Sequence, residues 1–206
     1  MQIVLARSGN IAHVKITGVI GWSTTSDDFR TQIEALSSEG VNKIMLYINS
    51  PGGIVSDAAE IVNILSLFKG EITGEGGAIV ASAATYVAAH CKTFSMPANG
   101  MYMIHKPSAY VGGTAKALRS TIESLDRIEA DYKRVYTEKT TNRELFNAKW
   151  DEDADWWMTA AEAKANGFIS EVKPAVKIDR ASACMIAVCG RPATEIIEPT
   201  DNEKNM

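Results

Sequence analysis

Short apolar runs alternate with helically spaced ones along this chain, and that alternation restricts the fold more than any other feature. Residues 3–5 and 11–16 read as strands on either side of a Ser8-Gly9-Asn10 turn. Ser26 can cap a helix in which Phe29, Ile33 and Leu36 recur at helical spacing, with Gly40 as its stop. Residues 43–48 then form a strand, Asn49-Ser50-Pro51-Gly52-Gly53 a sharp turn, and 57–68 a helix through Ala58, Ile61, Leu65 and Phe68 that Gly70 ends. Repeated strand–helix units of this kind require a largely parallel sheet covered by helices, an α/β fold.

The second half continues the pattern. A strand from near Glu71 is expected to pass through a flexible Gly74-Glu75-Gly76-Gly77 stretch to Ser82, where small and apolar residues begin a buried helix over 82–89. Residues 91–96 and 101–105 read as a further pair of strands joined by Pro97-Ala98-Asn99-Gly100. After Gly112-Gly113 the longest helix, 114–140, places Leu118, Ile122, Leu125, Ile128 and Val135 on one stripe. Spacing leaves two outcomes open: the stripe packs on the chain's own core, or the helix projects and interlocks with a neighbouring subunit. Thr159-Ala160-Ala161-Glu162 is a capping box for a short helix closed by Gly167, and 168–172 a last strand. Beyond it, prolines and an acidic end without periodicity divide the chain into a domain, 1–173, and a tail, 174–206.

Composition narrows the function classes. A chain of 206 residues with 46% hydrophobic content can bury one sizeable core. The net charge of −4 lacks the basic footprint of a nucleic-acid binder. The longest apolar window, 78–91, is too short and too polar to span a bilayer, and Met1-Gln2-Ile3 opens no signal peptide, so no membrane partner is expected. Cys91, Cys184 and Cys189 are odd in number and fit no Cys/His ligand spacing. They read as reduced thiols of a cytoplasmic protein, with no zinc site.

The residues most able to do chemistry gather between Gly77 and Pro107, with the Pro51-Gly52-Gly53 turn upstream and Asp155 downstream. Ser82 stands where a strand meets a helix, so free backbone N–H groups and the positive helix end lie beside its hydroxyl. A purely structural helix cap has the same appearance. Pro51-Gly52-Gly53 exposes backbone amides that suit an oxyanion hole, or serves as an ordinary tight turn. His13 alternates within a strand as a half-exposed residue, and His90 packs or caps a helix end. His105, at the end of an apolar strand before Lys106-Pro107, is the best candidate base, because α/β sites gather at strand ends. Asp151, Asp153 and Asp155 form an acidic cluster, or a solvated loop. Trp156, Trp157 and Met158 could shield Asp155 from water, yet composition does not choose among the three. A serine hydrolase needs a hydroxyl, a base, an orienting acid and oxyanion donors, and each part has a candidate.

Four motifs in order, Tyr47-Ile48-Asn49-Ser50-Pro51-Gly52-Gly53, Ala81-Ser82-Ala83, Met103-Ile104-His105-Lys106-Pro107 and Asp155-Trp156-Trp157-Met158-Thr159-Ala160, resemble the proteolytic subunit of the Clp protease, a serine peptidase family. The resemblance runs from about Ile44 to Val172. It implies Ser82 as nucleophile, His105 as general base, Asp155 as the acid that orients it, and the amides of Gly53 and Ala83 as the oxyanion hole. It also implies a crotonase-like, ClpP-type superhelix of strand-strand-helix units with 114–140 as the protruding handle helix, a homo-oligomer of stacked rings joined through that helix, and no metal or organic cofactor. Departures from the family pattern are Ala78 and Gly77 where the glycine before the serine would fall, a shortened interval around His90-Cys91-Lys92, Lys106 after the histidine, and Ser170 in the last strand. The first strand starts almost at once, leaving little room for the axial loops that engage an unfoldase ring, so docking to an ATPase is not expected. The short form resembles phage and prophage members associated with head maturation, which implies capsid or scaffold proteins as substrates.

Three other readings compete with a serine endopeptidase: a crotonase-type acyl-CoA enzyme, a hydrolase of the signal-peptide-peptidase kind using Ser82 with Lys92 or Lys106, and a catalytically silent ring-forming relative. The first has no use for a Ser-His-Asp set. The separate His and Asp motifs argue against the second. The third differs only in whether the triad is aligned.

Overall fold

The computed structural model describes residues 4–174, so the expected tail, apart from Pro174, lies outside the described residues with Cys184 and Cys189. A hairpin opens the fold: β1 (Val4–Ser8) and β2 (Ile11–Thr17) pair antiparallel. Then follow α1 (Ser26–Ser38), β3 (Lys43–Ser50), α2 (Val55–Leu67) and β4 (Glu71–Ala81). Next come α3 (Ala83–Ala89), β5 (Thr93–Pro97), β6 (Met101–Ile104) and α4 (Ala115–Lys139). α5 (Arg143–Asp151), β7 (Trp156–Thr159), α6 (Ala160–Ala165) and β8 (Glu171–Lys173) complete it. The eight strands form one sheet along β1-β2-β3-β4-β5-β8, with β6 on β4 and β7 on β6. Pairing is parallel except at β1–β2 and β6–β7, as strand–helix alternation demands. The mixed α/β architecture is that of the expected ClpP-type fold.

Strict alternation in β2 and β3 drives one sheet face inward. Ala12, Val14, Ile16, Ile44, Leu46 and Ile48 are buried and meet Phe29, Ile33 and Leu36 of α1 and Ala58, Ile61 and Leu65 of α2. Each such large side chain removed from water contributes about 1.5–3 kcal/mol before entropy is subtracted. The opposite face, with His13, Met45, Tyr47 and Thr73, borders a cavity of about 490 Å³.

Several expectations need correction. The cap of α1 is Thr25, whose hydroxyl accepts the Asp28 N–H, and Ser26 is already helical. The glycines at 74–77 do not form a separate loop: they lie within β4, whose register against β3 shifts between Gly76 and Val80. A Cβ on Gly74 would lie 2.3 Å from the Phe94 ring, and one on Gly77 2.4 Å from the Tyr47 hydroxyl, so close packing selects glycine there. β5 and β6 do not pair with each other; both lie parallel to β4, beside Thr73–Glu75 and Ile79–Ala81 in turn. The last strand is shorter than expected, because Phe168 and Ile169 enter the core before β8 begins. α5 and β7 are additions to the expected element order.

Helix α4 divides in two. Tyr132, Val135 and Tyr136 near its C-terminus are buried, whereas Leu118 and Ile122 stand exposed. Thr114 caps it through the Ala117 N–H. No helix among the described residues is long and apolar enough to cross a membrane.

Candidate active site

Ser82 follows β4 immediately and precedes the first residue of α3. Its backbone lies at φ 56°, ψ −131°, in territory that an L-residue occupies at a cost of about 1–3 kcal/mol. The Ser82 N–H donates to Met103 O at 2.9 Å, and its carbonyl accepts the Thr85 N–H at 2.9 Å. Although Ser82 occupies the N-cap position, its side chain caps nothing. The hydroxyl instead donates to His105 Nε2 at 2.6 Å. The structural-cap alternative therefore fails at this residue.

His105 follows the last residue of β6, which lies parallel to β4 with Ala81 opposite Met103. Parallel strands that end together bring the residues beyond them, Ser82 and His105, to one edge. Across β6 runs β7, antiparallel, with Ile104 opposite Trp156. One step outward His105 faces Asp155, and Nδ1 donates to Asp155 Oδ1 at 3.1 Å. With Nδ1 carrying the proton, Nε2 is free to accept the Ser82 hydroxyl proton. The expected shielding of the acid is corrected: the Asp155 side chain is 53% exposed, because Trp156 and Met158 turn toward the core while Trp157 faces outward. The other two acids point elsewhere. Asp151 Oδ1 is 3.5 Å from Lys133 Nζ, and Asp153 lies 3.8 Å from Lys106 Nζ.

The turn after β3 approaches from the other side. Ser50 Oγ, fully buried, donates to Gly18 O at 2.6 Å and accepts the Gly52 N–H at 3.0 Å. Asn49 Oδ1 accepts the Ile79 N–H at 3.1 Å, fastening the turn to the strand that delivers Ser82. Ile20 bonds on both sides of Gly53, donating to Gly52 O and accepting from the Ile54 N–H, so the N–H of Gly53 itself points away from Ile20. A Cβ on Gly52 would sit 2.6 Å from Ser82 Cβ, and one on Gly53 2.2 Å from Ile20 O, so both positions require glycine. Ala83 is the first residue of α3, so its N–H is one of the helix donors without an intrahelical acceptor. The structure thus brings Ser82, His105, Asp155 and the Gly52–Gly53 turn together.

None of the remaining candidates bonds to Ser82. His90 Nδ1 contacts Tyr86 O at 2.8 Å at the end of α3, and His13 lies in β2 on the cavity face. Lys92 Nζ pairs with Glu71 at 3.2 Å, and Lys106 Nζ with Glu129 at 3.2 Å, which leaves neither lysine bonded to Ser82. The Cys91 thiol is buried, and burial pushes its pKa up to about 12. Residues missed in the sequence are Asn49 and Ser50, which the motif contained without an assigned role, and Thr85, a buried hydroxyl in an alanine-rich helix.

Among known proteins, the family described as Clp protease matches residues 4–175. An ATP-dependent Clp protease proteolytic subunit 1 of Streptomyces avermitilis is 33% identical over 145 residues, 68% of this chain and 66% of the relative. A proteolytic subunit of Streptococcus gordonii is 31% identical over 148 residues, 66% of this chain and 71% of the relative. A proteolytic subunit 2 of Treponema denticola is 28% identical over 166 residues, 79% of this chain and 82% of the relative.

Proposed function

The chain belongs to the Clp protease family, whose proteolytic subunits are serine endopeptidases, and from that premise we propose that Ser82, His105 and Asp155 hydrolyse peptide bonds through an acyl-enzyme. The observation that carries this reading is the Ser82 hydroxyl itself: at the head of a strained turn it forgoes its helix and bonds an imidazole already held by a carboxylate. In the first step Ser82 Oγ bonds to the substrate carbonyl carbon while its proton passes to His105 Nε2. Asp155 keeps the Nδ1 proton in place and balances the imidazolium. The N–H groups of Gly53 and Ala83 receive the oxyanion, each such donor contributing about 10²–10³ in turnover. Collapse breaks the C–N bond, and the leaving amine takes the proton from Nε2. Water, deprotonated by the same nitrogen, then hydrolyses the ester and restores the serine. No metal or organic cofactor enters these steps.

The exposed apolar residues of α4, Leu118 and Ile122, support its role as a handle that joins stacked rings of this chain. The short form of the motifs around Ser82 and Asp155 supports a phage or prophage enzyme that acts on capsid or scaffold proteins during head maturation. The domain is assigned to 1–173, followed by the tail, and the host cytoplasm is its place of action.

Hydrolysis of a fluorogenic peptide by the purified oligomer tests the activity, with Ser82→Ala as control. Turnover that survives Ser82→Ala would remove the proposal. Sedimentation showing a monomer only would remove the ring, and capsid and scaffold proteins left uncut by an active enzyme would remove the head-maturation role.

A further inference from the structure

Ser82 holds a backbone conformation that its neighbours must impose, and the bond that fixes its N–H to Met103 O restrains only one side. The other side is its carbonyl. Thr85 contacts that oxygen twice, through its N–H at 2.9 Å and its Oγ1 at 2.6 Å. A threonine bonding back along its own helix is ordinary. Here a second helix joins in: Tyr136 of α4 places its hydroxyl 2.8 Å from Thr85 Oγ1, with Thr85 and Tyr136 both fully buried.

The direction of both hydroxyl protons follows from the partners. A carbonyl only accepts, so the Thr85 proton is committed to Ser82 O, and the Tyr136 hydroxyl must donate to Thr85 Oγ1. Burial also pushes the Tyr136 phenol well above its ordinary value, which keeps that donor protonated. Two linked bonds thus run from the core of α4 to the nucleophile's own peptide group.

We propose that Thr85 and Tyr136 are positioning residues for Ser82: their paired hydroxyls clamp the Ser82 carbonyl and hold the nucleophile in its strained, reactive conformation. The proposal deepens the serine-peptidase reading and rests on it. Without the clamp the Ser82 peptide can relax, and the hydroxyl leaves the line to His105 Nε2. Recognition of the substrate, which uses other groups, stays as it was.

The test is the saturation kinetics of a fluorophosphonate probe on the full chain, which separates probe affinity from the maximal rate of serine modification. Thr85→Val is expected to lower the maximal rate about tenfold or more and to leave affinity unchanged, whereas Thr85→Ser, which keeps the hydroxyl, stays within about twofold. Tyr136→Phe should lower the rate about threefold in the wild-type background and have no added effect on Thr85→Val, since both act through one clamp. A lower melting temperature with an unchanged maximal rate in Tyr136→Phe and Thr85→Val would overturn the proposal and leave these residues a purely structural role. If Thr85→Val does not fold, Tyr136→Phe decides alone: a wild-type rate overturns the clamp. Absence of labelling in the wild-type protein would instead strike the peptidase reading itself.

Discussion

His105 and Asp155 face each other one step beyond the last pair of the β6–β7 ladder, where Ile104 lies opposite Trp156. Strand register therefore selects the acid, and Asp151 and Asp153 fall outside it. Asp155→Asn should lower peptide turnover by at least about 10²-fold by presenting the wrong donor to Nδ1, while Asp151→Asn and Asp153→Asn stay within about threefold. Equal losses at all three positions would show that the cluster acts through its charge and not through this one bond.

Gly53→Ala should abolish most activity. A Cβ there would meet Ile20 O at 2.2 Å, and the residue sits at φ +148°, so the turn must shift and carry its N–H away from the oxyanion. The expected loss is about 10²–10³ in turnover, accompanied by a lower melting temperature. Wild-type turnover in this variant, measured with a fluorogenic peptide, would withdraw Gly53 from the oxyanion hole.

Lys92→Ala and Lys106→Ala should both keep probe labelling of Ser82. Their ammonium groups are engaged by Glu71, in an exposed pair that contributes about 0–1 kcal/mol, and by Glu129, in a half-buried pair. Loss of labelling with either, while His105→Ala retains it, would establish a serine–lysine dyad in place of the triad.

Much of this arrangement was legible in the chain, and the failures share a physical cause. The alternation of β2 and β3 and the spacing of Phe29, Ile33 and Leu36 placed the core, because burial on one face leaves a period in the sequence. The four-residue β7 and nine-residue α5 are too short to show one, although Phe146 and Trp150, four apart, both bury. Gly74 and Gly76 read as flexible because glycine freedom is local, whereas their true constraint is distant: the side chains of Phe94 and Met96. Adjacent hydroxyls at Thr25 and Ser26 could each cap α1, and only the extended backbone of Thr25 decides between them. At the site, spacing alone left Ser82, His105 and three aspartates as separate candidates. The register that joins them is a tertiary fact, and only the family motif anticipated its choice of Asp155.

The α3–α4 contact should respond to acid. Burial pushes the Asp131 carboxyl up, but the Tyr86 hydroxyl at 2.7 Å and Arg134 outweigh it and hold the group below its ordinary value. A depressed folded-state value means that this contribution is complete above the unfolded value, near 4, and is lost as pH falls through the folded one. The melting temperatures of wild type and Asp131→Asn should differ at pH 7 and converge at strongly acid pH. A difference that is constant across this range would exclude Asp131 as the titrating group.

The central claim is that one activated serine does the chemistry. Mass spectrometry of the fluorophosphonate-treated protein tests it most directly. The expected result is a single adduct on Ser82 that His105→Ala suppresses by about 10²-fold or more. An unlabelled Ser82 in an intact oligomer, or labelling indifferent to His105, would contradict it.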